Sequence, residues 1–252
     1  FSLRQLRNRA MSTLLNVTGT RNILDSAVGS GVERIVVLSS STVYGAHPGR
    51  GPEPITEDES MAPVKGFNYA EDKVECEQYC SFLANQYPNV NLSILRSCIV
   101  LGPNADNFIT GALEKQFLIA VGSDDPDLQF IHESDLTRII ARFATENHPG
   151  TYNVAANGTV RWSQLVKMAN KSLVHLPAPL AIALTNLSWM LRFQSDSPAP
   201  GLSLIRWPWV VDTSRLSREI QHDFSYTSEQ ALSEYLDTRY GNGSSLWNEG
   251  WN

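Results

Sequence analysis

Arg34-Ile-Val-Val-Leu-Ser-Ser-Ser-Thr-Val-Tyr-Gly45 is the stretch whose reading decides the fold. Its first part, Arg34–Ser39, is an unbroken apolar run of strand length with no polar alternation. Such a run reads as a strand covered on both faces, the habit of a parallel sheet. The run ends in serines, and the carboxyl end of a parallel strand is where such sheets bind ligands. Upstream, Met11–Gly29 has helical periodicity and is stopped by Gly29 and Gly31. Downstream, Ala46–Pro63 is rich in proline, glycine and acid and reads as a loop. Tyr69–Tyr87 reads as a helix, and Val90–Ser97 as a second buried strand closed by Leu101-Gly-Pro103. A helix over Asp135–Glu146 with Asp135 as its cap, a short strand over Thr151–Ala155 and a helix over Ser163–Asn170 follow. Strands separated by helices predict an α/β, doubly wound parallel sheet.

Composition narrows the function classes. The chain has 252 residues, 42% hydrophobic and 18% charged, enough to build a core. Twenty Lys and Arg against 26 Asp and Glu give a net charge of −6, which argues against nucleic-acid binding and against an anionic membrane surface. The three cysteines, Cys76, Cys80 and Cys98, include no CxxC pair, so neither a disulfide framework nor a metal site is expected. A reducing, cytoplasmic setting fits that cysteine usage. Phe1–Ala10 has no signal-peptide run, and Leu180–Leu191 is too short to span a bilayer, which leaves core or lid packing for it. From about residue 160 onward proline and tryptophan accumulate, and Trp207-Pro-Trp209 reads as a packing element beside a turn. The expected organisation is residues 1–160 as a dinucleotide-binding part with interleaved substrate-lobe segments, 161–240 as a mainly helical substrate lobe, and 241–252 as a flexible tail.

Tyr69-Ala-Glu-Asp-Lys73 sets a phenol and an ammonium on one helical face. A phenol ordinarily titrates near 10, and a neighbouring cation favours its ionised form. Tyr69 is thereby expected to exchange a proton with a substrate hydroxyl near neutral pH. The serines that end the Arg34–Ser39 strand would supply a second hydroxyl.

In chain order, Asn16-Val-Thr-Gly-Thr-Arg-Asn-Ile-Leu24, Val37-Leu-Ser-Ser-Ser-Thr-Val-Tyr-Gly45, the Tyr69/Lys73 pair, Leu95-Arg-x-x-x-Val-Leu-Gly-Pro103, Gln129-Phe-Ile-His-Glu-Ser-Asp135, Gly150-Thr-Tyr-Asn-Val154 and Val211-Asp-Thr-Ser214 resemble an extended short-chain dehydrogenase/reductase of the NAD-dependent epimerase/dehydratase family. The resemblance implies a Rossmann-like sheet with a small C-terminal substrate lobe. It also implies NAD or NADP as cofactor, a small-molecule substrate and a homodimer built on the helix carrying Tyr69 and the helix before the serine strand. By the same resemblance Ser40, Tyr69 and Lys73 are catalytic. Asn16, Leu38, Ser39, Arg96, Ser97, Ile99 and Val100 join Tyr69 and Lys73 around the cofactor, and Ser41, Thr42, Asn107 and Gln129 face substrate. His132 and Asp135 are expected to be structural, a hydrogen-bonded histidine and a capping aspartate.

Two departures matter. No three glycines have the Gly-x-x-Gly-x-x-Gly spacing that cradles a pyrophosphate at a helix N-terminus. The resemblance places that turn, with three strands and their helices, upstream of Phe1, so this stretch is expected to carry the catalytic half of a cofactor site. The residue that separates NAD from NADP is likewise absent. The second departure is Leu128, which stands where nucleotide-sugar members carry an arginine for the substrate pyrophosphate. Gly122-Ser-Asp-Asp-Pro-Asp127 before it is acidic. The sequence therefore favours an oxidoreductase acting on a carbonyl or secondary alcohol of a less charged molecule. A nucleotide-sugar epimerase of the UDP-glucose 4-epimerase kind, or a dehydratase, is the alternative. A truncated, non-catalytic dimerising module is a second one.

Overall fold

The computed structural model describes residues 7–194 and 197–241. The chain starts with α1 (Arg9–Ser12), a π-helical segment over Thr13–Thr18 and α2 (Gly19–Gly29). The single helix expected over Met11–Gly29 is thus interrupted by a wider turn that contains Asn16 and its carbonyl. That carbonyl accepts from Thr20 Oγ1 at 2.5 Å and from Cys76 Sγ at 3.2 Å. Next come β1 (Arg34–Ser40), a 3₁₀ turn at Ser41–Tyr44, α3 (Asn68–Gln86), β2 (Asn91–Ser97), β3 (Ile99–Leu101) and α4 (Phe108–Leu113). The chain continues through β4 (Phe117–Val121), β5 (Asp127–Leu128), β6 (Phe130–His132), α5 (Glu133–Thr145) and β7 (Gly150–Val154). It ends with β8 (Val160–Arg161), α6 (Trp162–Met168), β9 (Ser172–Leu176), α7 (Ala178–Met190), a 3₁₀ stretch at Ala199–Ile205, α8 (Ser214–Ile220) and α9 (Ser228–Tyr240).

The main sheet has the order β1-β2-β7 and is parallel throughout. Leu24, Ile35, Cys80, Leu83, Leu92 and Ile94 pack between one face of it and the layer of α2 and α3. The larger core, with Leu95, Ile139, Phe143, Tyr152 and Val154, covers the other face under α5. Side-chain alternation along β1 and β2 sorts these residues to the two sides. At Cys98 the chain changes partner. Its amide still donates to Val154 of β7, and the next residues form β3, which pairs in parallel with β6.

Three sequence expectations need correction. β1 is less covered than its apolar run suggests. Leu38 is 40% exposed and Val36 and Val37 are half-buried, because among the described residues β1 pairs with β2 alone. Asp135 is not the cap of α5. His132 takes that place, its ring nitrogen accepting from the Ser134 amide, while Asp135 is fully buried and accepts from the amides of Ser225 and Tyr226 and from Arg138. The region after residue 160 is not only helices and loops, since β9 pairs in parallel with β4 over five residues. The apolar run Phe117-Leu-Ile-Ala-Val121 carried that signal.

His132 stacks on Tyr226 with 4.0 Å between ring centroids and lies 2.7 Å from Glu234, tying β6 to α9. Among the described residues no helix is long and apolar enough to cross a membrane, and no group of three or more His, Cys, Asp or Glu side chains could hold a metal ion. Of the tail expected over 241–252, residues 242–252 lie outside the described residues.

Asp135→Ala tests this fold. It strands two part-buried backbone donors and one arginine that meet at a fully buried carboxylate, so the loss of stability is expected to be about 2 kcal/mol by chemical denaturation. A loss below about 0.5 kcal/mol would show that the segment around Ser225 is held by other contacts.

Candidate active site

The site begins where β1 ends. Ser40 keeps an extended backbone and caps the following 3₁₀ turn, its Oγ accepting from the Thr42 amide at 3.3 Å and from Thr42 Oγ1 at 3.0 Å. The turn stops at Gly45, whose φ is +66°. A Cβ there would sit 2.3 Å from the Ala62 carbonyl, so only glycine lets the chain leave the strand end at this angle.

Opposite, α3 presents Tyr69, Lys73, Cys76 and Glu77 to one cavity, the spacing of a single helix face. Ser40 lines the same cavity as the Tyr69 phenol, and its hydroxyl works to lower the phenol's pKa. Lys73 Nζ lies 5.8 Å from the centre of the Tyr69 ring and donates to the Leu38 carbonyl at 2.7 Å. Phe67 meets Tyr69 edge-on at 6.2 Å and Phe108 at 6.3 Å, so the phenol is backed by an aromatic pair.

The cavity holds about 490 Å³ and is lined mainly by apolar side chains. Leu38, Ser39, Ser40, Thr42, Tyr69 and Lys73 line it. Ser97, Ile99, Val100 and Asn107, all expected from the sequence, join them from β2, β3 and the start of α4. The Asn107 side chain is engaged within its own segment, capping α4 through the amides of Ile109 and Thr110 and donating to the Val100 carbonyl at 2.8 Å.

Four expected residues lie elsewhere. Ser41 is fully buried beside a second, smaller cavity shared with Gln129, Cys98 and Trp209. Gln129 spends both ends of its amide on the backbone of Val211. Asn16 donates to Asp72 at 3.0 Å, away from the cavity wall. Arg96 is buried behind the wall, bidentate to Glu77 and donating to Tyr44.

The structure also adds Thr20, Cys76, Glu77, Cys98, Phe108 and Trp209 to the wall. Glu77 was legible as one more turn on the Tyr69/Lys73 face. Trp209, expected as a packing element, comes from far along the chain, its indole N–H donating to the Leu204 carbonyl at 3.1 Å.

Electrostatics here differ from the sequence argument. Burial pushes the Tyr69 phenol up to about 12, and the Ser40 hydroxyl is what pulls it back. Lys73 directs its Nζ to the Leu38 carbonyl, and burial pulls the ammonium itself below its usual range.

The sign follows for stability. The folded state's preference for neutral Tyr69 is fully expressed below pH 10 and is lost as pH rises from 10 to about 12. Ultraviolet titration of the protein minus that of Tyr69→Phe is therefore expected to isolate one phenolate step near pH 12. A midpoint at 10 or below would contradict this placement of the ring.

A sequence profile of the NAD dependent epimerase/dehydratase family matches residues 6–155. An uncharacterized protein of Mycobacterium tuberculosis is 26% identical over 226 residues, 89% of this chain. The chain spans 60% of that protein's length. Among solved structures, UDP-glucose 4-epimerase from Thermotoga maritima with UDP-glucose superposes with a TM-score of 0.69 at 17% identity, over 92% of this chain and 71% of that one. dTDP-glucose 4,6-dehydratase from Bacillus anthracis in complex with NAD gives 0.66 at 18% identity, over 90% and 68%. At these identities the superpositions establish a shared Rossmann-like fold with a parallel sheet, and the profile match establishes kinship: the chain belongs to the NAD dependent epimerase/dehydratase family.

Proposed function

We propose that this chain carries the catalytic half of an NAD(P)-dependent oxidoreductase that interconverts a carbonyl and a secondary alcohol. The observation that carries the reading is that Ser40, Tyr69 and Lys73 meet on one cavity wall at the carboxyl end of β1, with Lys73 Nζ 5.8 Å from the Tyr69 ring centre. The residues present fit the nicotinamide and ribose end of a dinucleotide. Lys73 offers an ammonium, and apolar Ile99 and Val100 offer a flat wall. NAD is the expected cofactor, in line with the family and with the NAD-bound dehydratase of like fold. When bound, it supplies the hydride donor or acceptor.

The chain's own residues supply the rest. Ser40 Oγ orients the reacting oxygen. Tyr69, whose phenol is protonated at neutral pH, hands a proton to that oxygen as the carbonyl becomes an alcohol. In the reverse direction the phenol must first lose a proton, so alcohol oxidation should run best on the alkaline side. Lys73 fixes the strand end through Leu38 and places its positive charge beside the ring. Phe108 and Trp209 make the wall apolar where substrate would enter.

An apolar substrate is favoured over a nucleotide sugar by the cations. Leu128 is buried, Arg206 is paired with Asp124 at 2.8 Å, and Arg138 is paired with Asp135 and Ser225. Epimerisation of a nucleotide sugar, the substrate class named for the solved epimerase, is the second reading, supported by the common fold. A homodimer is proposed from the helices that flank β1. They leave Leu14, Leu15, Ile23 and Phe82 more than half exposed.

The test uses the complete native gene product, with UDP-glucose and dTDP-glucose in one arm and apolar cyclic ketones and secondary alcohols in the other. NAD(P)-linked turnover on the second arm is expected, and Tyr69→Phe should lower it by about 10²–10⁴-fold while leaving cofactor affinity in place. Saturable turnover of a nucleotide sugar, with none on the apolar panel, would reverse the order of the two readings. Turnover of Tyr69→Phe within about threefold of the native protein would remove Tyr69 from the chemistry.

A further inference from the structure

We propose that α7 docks on an anionic lipid bilayer, lying in the plane of the headgroups with its outer face among the acyl chains. The inference rests on the surface of the molecule and stands apart from the oxidoreductase reading.

Core packing, expected for this stretch, holds for one side of the helix alone. Ala181 packs against Val121 and Leu202, with Ala178, Ala199 and Ile205 around them. Leu180, Leu184, Leu187, Met190 and Leu191 share the spacing of the opposite face, and each is close to half exposed or more. Phe193, just past the helix, is 79% exposed. A continuous hydrocarbon face of this kind marks a surface that something else covers. At 13 residues the helix is too short to cross a bilayer, which leaves it lying on one.

Charge identifies the cover. The net charge of −6, which by itself argues against an anionic surface, is unevenly spread. All 26 acidic residues fall outside 147–194, a span that holds α7 together with Arg161, Lys167, Lys171 and Arg192. Two cations stand where the helix ends. Arg192 is exposed, and Arg7 donates to the carbonyls of Trp189 and Gln194 at 2.5 and 2.6 Å. The Arg7 guanidinium also lies 4.0 Å from the centre of the Trp189 ring. Among the described residues neither arginine pairs with a carboxylate. An indole and guanidinium groups at the end of a hydrocarbon stripe suit a membrane–water boundary, where lipid phosphates meet the cations.

Protein occupants fit less well. A two-fold contact between copies would set this face against itself and bring cations together, with no acid in the span to answer them. A different protein would need a hydrogen-bonding rim. The polar side chains of the helix are turned to its own fold: Asn186 accepts from the Ala199 amide, and Ser188 donates to the Thr185 carbonyl.

The experiment is vesicle flotation of the complete native gene product. One set of vesicles is phosphatidylcholine alone, and the other is phosphatidylcholine mixed with phosphatidylglycerol. Binding is expected to the mixture, and at least about fivefold less to phosphatidylcholine alone. Leu184→Glu with Leu187→Glu puts two carboxylates on the exposed face and should lower partitioning into the mixture at least about a hundredfold. Arg192→Gln should lower it about fivefold while leaving binding to phosphatidylcholine alone unchanged.

Chemical denaturation checks that each variant is folded. Should the double variant prove unfolded, Met190→Glu decides by itself, at a position 70% exposed, with an expected loss of at least about tenfold. Flotation that these glutamates leave unchanged overturns the proposal. Absence of flotation by the native protein overturns it as well, and sedimentation velocity without lipid then names the occupant. A dimer lost in the glutamate variant would assign the face to a second copy, and any other outcome would assign it to a different protein.

Discussion

The parallel ladder between β1 and β2 is the constraint on which the rest depends. Its register runs from Arg34 against Asn91 to Ser40 against Ser97, so both strands finish at the same level. A slip of one residue would turn Ile35 and Val37 from the layer under α2 and α3 to the opposite face, and would turn the serines with them. Because Ile35, Leu92 and Ile94 are packed into the layer under α2 and α3, that slip is opposed and the hydroxyls at the two strand ends arrive together at the cavity. Chemistry here is a by-product of packing: the residues that secure the register are Leu24, Ile35, Leu92 and Ile94, and none of them is reactive.

The second strand then has two careers. Up to Ser97 it belongs to the main sheet, and after Cys98 it belongs to the ladder with β6. The change of partner opens the sheet at its carboxyl end, and the opening is where Ile99, Val100 and Trp209 gather. Ligands of open α/β sheets lie at such points because backbone and side chains diverge there and leave room.

Much of this was legible in the chain. The apolar runs of β1 and β2, the helix at Tyr69 and the Tyr69/Lys73 spacing were plain, because local periodicity dictates them. The ends of elements were less so. Asp135 looked like a cap, and the geometry gives that place to His132, because two amides near Ser225, about 90 residues away, compete for the aspartate and win. The apolar run of β4 marks a strand, but its pairing with β9 spans more than 50 residues, so the partner is not legible locally. The ionisation of Tyr69 was misjudged for a related reason. Sequence gives the neighbour, Lys73, but not the burial, and burial is the larger effect. Arg96 and Asn16 have the residue types of a binding site, yet their partners Glu77 and Asp72 hold them behind its wall.

Helix α7 has a consequence of a different kind. Its 13 residues, Ala178–Met190, carry no ionisable side chain, and Leu180, Leu184, Leu187 and Met190 are each 46–70% exposed. Against a chain whose formal charge is only −6, such a surface governs colloidal behaviour. Strongly hydrated anions such as sulfate make exposed hydrocarbon costlier, so this helix will lower precipitation thresholds and lengthen retention on apolar columns.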